Sequence, residues 1–429
     1  MNVLLLNTFD IEGGAARAAY RLHQGLQSQG LDSQMLVQQQ LSADPQVISP
    51  STRLAQGWAT ARLSLDALPL KRYAQRERHF TFSPQWLPDR MATRVRQLNP
   101  DLVNLHWINE GFLQVETLAK LGKPLVWTLH DMWPFTGGCH YSHGCQNYQA
   151  ACGACPQLGS QQERDLSRSI WNRKQKSWQA LDLTVVALCD WMVEAARSSS
   201  LFRQARIERI PNGIDPGLYR PLDAQMARQL LGLPQEKRLV LFGSLQATSD
   251  RRKGFHLLQP ALQRLQQAND TSDIGSDIES DIELVVFGAA RPDPAPNFGL
   301  KTHYLGSFKD DLTLALIYSA VDLFVLPSTE ENLANTILEA MACGTPCVAF
   351  QIGGMPDLIE HQQTGYLAKP NDIADLAQGI GWVLTDAQRH AQLSDRSRQK
   401  LMREFTLDRQ ARRYAQLFTE LLSRERVPV

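Results

Sequence analysis

Two glutamates, Glu331 and Glu339, are spaced so that one ligand can meet both. If the residues between them are helical, eight steps rise about 12 Å and bring the second side chain to within about 80° of the first. Carboxylates so placed accept hydrogen bonds from hydroxyls at the two ends of a long ligand and leave room for a phosphate between them. A nucleotide sugar has this shape. Most glutamates are solvated helix charges, and spacing alone does not separate the two readings. A second group is cationic: Arg251, Arg252 and Lys253 precede Gly254. Such a triplet neutralises a diphosphate or forms a solvated basic turn. His130, followed by Asp131, ends an apolar run. A lone histidine is more often a satisfied core group than a catalyst, but the carboxyl end of a strand is where open α/β sheets keep their ligands.

Cysteines form a further constellation. Cys139, Cys145, Cys152 and Cys155 are four of the chain's seven. Cys152-x-x-Cys155 has the bite of a zinc knuckle, and Cys139 and Cys145 complete four thiolates, with His140 and His143 as reserve ligands. The first pair is spaced more widely than in a common knuckle, and four buried free thiols are the alternative. Structural zinc is the favoured reading, and a disulfide framework is not expected in a reducing compartment. Four thiolates make a closed site, whereas catalytic zinc keeps an open position.

The elements that must position these groups follow from apolar runs and their breakers. Residues 321–326 read as a buried parallel strand, 333–343 as a helix stopped by Gly344, and 347–350 as the next strand. Glu331 thus falls at a helix mouth, where unpaired N–H groups attract anions. Further strands are expected at 3–6, 101–107, 124–129, 184–188, 238–242, 284–287 and 302–305. Helices are expected at 16–29, 161–180, 191–198 and 312–319, with another starting near Phe255, and the chain ends in helical segments. His106 ends the run at 101–107 and reads as structural. Gly13 and Gly14 follow the first strand, as a tight turn or a place of close phosphate approach. Residues 53–96 mix arginines with aromatics. A pair of ordinary surface helices is favoured there over an acceptor-facing or membrane-surface segment. The repeat DTSDIGSDIESD at 270–281 reads as a flexible, solvated acidic loop.

The segment STEENLANTILEAMACGTP (residues 328–346) resembles the E-x7-E motif of glycosyltransferase family 4, retaining enzymes of GT-B fold that need no metal for catalysis. The resemblance implies that Glu331 meets the donor sugar and Glu339 the ribose. Asn332, Leu333 and Ala334 stand where the family often has Gly-Phe-Gly, and with Gly13, Gly14, Arg252 and Lys253 they are the implied diphosphate contacts. His130-Asp131 matches the family's His-Asp, whose histidine faces the reacting sugar. Gly243-Ser244 stands where Gly-Arg is common, so Arg251 or Arg252 must supply the missing cation. Pro211-Asn-Gly-Ile-Asp215 matches the interdomain linker, and Gly353-Gly354 the family's Gly-Gly turn. The run HDMWPFTGGC, with cysteines after it, resembles a branch associated with exopolysaccharide assembly of the colanic-acid type.

These readings make an α/β chain with two doubly wound, Rossmann-like domains facing across a cleft. The first covers 1–215, with a cysteine-rich insertion at 135–158. The second covers 216–400 and binds the nucleotide sugar. Residues 405–422 resemble the family's C-terminal helix, which implies that 401–429 form a helix crossing back to the first domain. The expected function is transfer of a sugar from a nucleoside-diphosphate sugar to a saccharide or lipid-linked hydroxyl acceptor, with retention and without a catalytic cofactor. A nucleotide-sugar epimerase, a phosphorylase and a non-catalytic sugar-nucleotide binder are the alternatives. The 429 residues are enough for two or three cores, and 44 basic against 44 acidic residues argue against a nucleic-acid partner. The N-terminus lacks a basic leader region, and no apolar run reaches the roughly 18 residues of a membrane span. The expected location is the cytoplasm, with peripheral contact at the inner membrane surface as a further option.

Overall fold

The computed structural model describes residues 1–243, 250–270, 281–293, 296–308 and 310–425. Ser244 and most of the acidic repeat, 271–280, lie outside the described residues. The chain divides into two compact units, Met1–Asn212 with Asp408–Val429, and Gly213–Leu407.

The first unit is built on a parallel sheet of β1 (Asn2–Phe9), β2 (Asp32–Gln39), β3 (Val47–Ile48), β4 (Leu102–Leu105), β5 (Leu125–Leu129), β6 (Leu183–Ala187) and β7 (Arg206–Arg209). Their order is β3-β2-β1-β4-β5-β6-β7. The runs in β1, β4 and β5 are buried along both faces, as parallel strands covered by helices must be. Ala19, Leu22 and Leu26 of the helix Gly14–Ser28 pack on Val3, Leu5 and Val126. Tyr414, Leu417 and Phe418 of the helix Leu407–Glu425 join the same core.

The second unit repeats the plan with β8 (Arg238–Gly243), β9 (Ile282–Phe287), β10 (Thr302–Gly306), β11 (Leu323–Leu326), β12 (Cys347–Phe350) and β13 (Gly365–Ala368), ordered β10-β9-β8-β11-β12-β13. Every pairing in both sheets is parallel. In each sheet the winding reverses once, between β1 and β4 and between β8 and β11. Those switch points open the crevices where doubly wound sheets take their ligands.

Residues 53–98 form the helix Arg53–Asp66, a 3-10 turn at Leu68–Arg72 and the helix Met91–Leu98. Leu54 is 88% exposed and Trp58 55%. Arg62 is no surface cation: it is buried and donates to the carbonyls of Gly111 (2.7 Å) and Pro88 (2.8 Å). Among the described residues no helix is long and apolar enough to cross a membrane.

Candidate active site

The second unit's switch point collects most of the predicted groups. After β8 comes the 3-10 turn Arg251–Lys253, which Asp250 caps by accepting the Arg252 N–H at 2.9 Å. Gly254 ends the turn at φ +75°, and a Cβ there would drive into the Pro327 carbonyl at the end of β11. Glycine therefore lets the basic turn lie against the loop that follows β11. Two bonds fasten them: Thr329 N–H to the Arg252 carbonyl at 2.9 Å, and the Arg252 guanidinium to the Glu330 carbonyl at 2.9 Å.

That contact delivers both cations to Glu331. The Lys253 ammonium is paired with Glu331 Oε1, the Arg252 guanidinium stands 3.1 Å from the same oxygen, and Ser328 Oγ donates to it at 3.2 Å. Burial by itself raises the Glu331 carboxyl; the Lys253 and Arg252 charges outweigh it and hold the group at about 2. Burial and the neighbouring Arg252 together lower Lys253 from the usual lysine range. Arg251 is exposed, so Arg252 is the arginine that accompanies Lys253.

The helix after β11 is Asn335–Ala342, shorter at its start than the sequence pattern suggests, and no side chain caps its N-terminus. Glu331 therefore lies in the loop rather than at a helical position. The loop is shaped instead by Gly353-Gly354. A Cβ on Gly353, at φ +48°, would collide with the Glu331 carbonyl, and Gly354 N–H donates to the Asn332 carbonyl at 2.8 Å. Asn332, Leu333 and Ala334 are all buried between these supports. Glu339 sits one turn into the helix, 4% exposed, and accepts from the hydroxyl of fully buried Tyr318 at 3.0 Å.

In the first unit, Gly13 ends the β1 loop at φ 93° and starts the helix Gly14–Ser28. His130 follows β5, and its Nε2 lies 2.9 Å from Nδ1 of His106, which follows the adjacent β4. His106 is thus a partner of His130, which two histidines ending neighbouring parallel strands could have signalled. The Asn104 amide nitrogen donates to the Val126 carbonyl and to Thr128 Oγ1, both at 3.1 Å, so its oxygen accepts from His106 Nε2–H at 3.1 Å. His106 Nδ1 is then the acceptor and His130 Nε2–H the donor. His130 Nδ1 is left as a hydrogen-bond acceptor. Burial holds His130 at about 4, against the pull of Asp131, and pushes His106 well below the usual histidine range. Asp131 itself is braced by His140 Nδ1 (2.6 Å) and by the Trp107 indole N–H (2.9 Å).

Cys139, Cys145, Cys152 and Cys155 line one small cavity of about 20 Å³ in the same unit, and all four are free thiols. Burial pushes Cys152 up to about 12 and Cys155 to about 11. Among the described residues no group of three or more His, Cys, Asp or Glu is placed to hold a metal ion.

A family model described as Glycosyltransferase Family 4 matches residues 12–218, and one described as Glycosyl transferases group 1 matches 236–386. The chain is 26% identical over 399 residues to a putative colanic acid biosynthesis glycosyl transferase, WcaC, of Escherichia coli K12, covering 88% of this chain and 90% of the relative. It is 27% identical over 310 residues to a D-inositol 3-phosphate glycosyltransferase of Arthrobacter, covering 68% and 65%. Among solved structures, sucrose-phosphate synthase from Thermosynechococcus elongatus superposes with a TM-score of 0.68 at 18% identity, covering 99% of this chain and 100% of that one. Anabaena HepE in complex with UDP and glucose does so with 0.64 at 19%, covering 98% and 100%. These likenesses show the fold: two parallel Rossmann-like sheets of GT-B type.

Proposed function

The chain belongs to glycosyltransferase family 4, and from that premise we propose that it moves a sugar from a nucleoside-diphosphate sugar to a hydroxyl acceptor with retention at the anomeric carbon. The observation that carries this reading is the joint placement of Lys253, Arg252 and Glu331 at the switch point between β8 and β11. Breaking the sugar–phosphate bond leaves its electron pair on the diphosphate and positive charge on the sugar. Lys253 and Arg252 stabilise the first, helped by the backbone N–H groups around Asn332, Leu333 and Ala334. Glu331 holds the sugar, and Glu339 accepts from the ribose hydroxyls. Gly13 and Gly14 allow close approach of backbone to the diphosphate.

His130 enters as a neutral acceptor. With Nε2–H committed to His106, its Nδ1 takes a proton of a sugar hydroxyl into a hydrogen bond and orients the ring. The acceptor oxygen then bonds to the anomeric carbon on the face the phosphate leaves. Its proton passes to the departing phosphate oxygen, so no covalent enzyme nucleophile is required. Uridine diphosphate is the first nucleotide to test, because the Anabaena neighbour was solved with UDP and glucose. Polysaccharide assembly is the first context, given the colanic acid relative. A lipid-linked acceptor at a membrane surface is the finer version, supported by exposed Leu54 and Trp58 beside Arg53.

The test is thermal shift of the wild type and Glu339→Ala with UDP, GDP, ADP and their common sugars, followed by product analysis with candidate acceptors. A nucleotide at about 100 times its dissociation constant adds about 2.7 kcal/mol. One base stabilising the wild type and losing most of its effect in the variant, with a new glycoside formed, is the expected result. Stabilisation without any acceptor product, or with an epimerised sugar nucleotide alone, overturns transfer.

A further inference from the structure

We propose that Cys139, Cys145, Cys152 and Cys155 bind a zinc ion as a closed tetrathiolate site that fixes the loop behind His130. The four side chains come from separate points of a long loop, yet they line one small cavity of about 20 Å³. Among the described residues no three such side chains already stand at metal-binding distances, so the proposed site requires the four thiols to turn towards one another within that cavity.

Three features support a metal over four idle thiols. The Cys152-Gly153-Ala154-Cys155 turn takes two positive φ values in succession, 153° and 44°. The second falls on a residue with a side chain, a conformation that such residues rarely adopt. This folds the two cysteines back on the same cavity, as a knuckle must. A backbone N–H also points at sulfur: Gly137 donates to Cys152 Sγ at 3.1 Å. Such a donor favours the thiolate that a metal needs and contributes little to a neutral thiol.

The third feature is a cation. Lys174 is fully buried, donates to the carbonyls of Trp133 and Thr136, and lies 3.5 Å over the Trp133 ring. Burial lowers Lys174 well below the usual lysine range, and negative charge on the nearby Cys152 and Cys139 would raise it again. A buried ammonium is costly unless charge opposes it. Zinc with four thiolates carries a net charge of about −2 and supplies that opposition. On binding, each thiol gives its proton to solvent and no group changes oxidation state. The coordination sphere is full, so the site is structural. Its consequence for the active site runs through His140, which follows Cys139 and braces Asp131, the neighbour of His130.

The test measures metal and not activity, so it stands apart from the transferase reading. Protein purified without chelator is assayed for zinc by mass spectrometry and by release with a mercurial. Zinc is then replaced by cobalt and the absorption spectrum recorded. We expect stoichiometric zinc, intense thiolate-to-cobalt bands of a tetrahedral site, and loss of both in Cys152→Ser and Cys155→Ser but not in Cys189→Ser. Wild-type protein that lacks zinc, gives no such cobalt bands and titrates all four thiols with Ellman's reagent while folded overturns the proposal. Disulfides among the four do so equally. Because the decisive readings are on the wild type, a variant that fails to fold leaves the test intact.

Discussion

Charge pairing decides the behaviour of Glu331, whose carboxylate is kept ionised in a buried place by Lys253 and Arg252. Glu331→Gln keeps the shape but removes the paired carboxylate from Lys253 and one of two from Arg252, which keeps Asp250 at 3.2 Å. The expected loss is about 3 kcal/mol of stability, in the range found when one partner of a buried pair is removed. Turnover should fall by about 10²–10³, the scale of removing one group that meets the developing charge. The sign with pH is fixed by the direction of the shift. A carboxyl held at about 2 when folded, against an ordinary 4.5, contributes fully above 4.5 and loses its contribution as the pH falls towards 2. Urea midpoints of wild type and variant should therefore converge between neutral pH and about pH 3; a constant gap would mean the pairing does not hold the carboxylate. His130 runs the other way. With a folded value of about 4 it stays neutral while the unfolded ring titrates near 6.5, so the unfolded chain binds the extra proton and stability drops as pH falls from 6.5 to 4. For the same reason kcat/KM should show no histidine step between about pH 7.5 and 5.5. A step in that range that disappears in His130→Gln would contradict a neutral acceptor.

Glycines set how the loops of the site meet. Gly254 combines a positive φ with a backbone carbonyl where its Cβ would lie. Gly254→Ala should cost about 1–2 kcal/mol from the left-handed conformation alone. It should also push Lys253 away from Glu331, so the apparent affinity for a nucleoside diphosphate weakens along with thermal stability. A variant that loses stability but binds nucleotide unchanged, read by calorimetry below its melting temperature, would show that the turn does not place the cation. Much of this is legible from residue type alone: an apolar strand, a polar loop with Glu331, and Gly344 stopping a helix. The start of the helix is not. Leu333 and Ala334 continue an apolar pattern, but the loop is tied to Gly353-Gly354 and the helix begins only at Asn335. That tie spans some twenty residues and has no local signal. Nor does the sequence choose between Arg251 and Arg252; the Asp250 cap and the Glu330 carbonyl do.

Across the whole chain, sheet order makes the switch points, and sheet order follows from strands that are unequally readable. Those in residues 3–6, 124–129 and 321–326 announce themselves by continuous apolar runs. β2 and β7 do not, because their sequences, DSQMLVQQ and RIER, carry polar side chains that only the finished sheet accommodates. The return of the last helix to the first unit is likewise a long-range fact, although the resemblance of residues 405–422 anticipates it. That helix does more than cover a core. Tyr414, fully buried, shares a 2.9 Å hydrogen bond between its hydroxyl and Thr128 Oγ1. Thr128 Oγ1 also accepts from the Asn104 amide, whose oxygen sets the His106 ring and through it His130. Tyr414→Phe removes the far end of this chain of bonds without opening a cavity. Stability should fall by about 1–2 kcal/mol, the cost of leaving a buried hydroxyl unpaired. Turnover should change by no more than a few fold, because Asn104 keeps its bond to the Val126 carbonyl and its oxygen still faces His106. Chemical denaturation and steady-state kinetics on the same preparation separate the two effects. A collapse of kcat with stability intact would show instead that the last helix controls the orientation of His130.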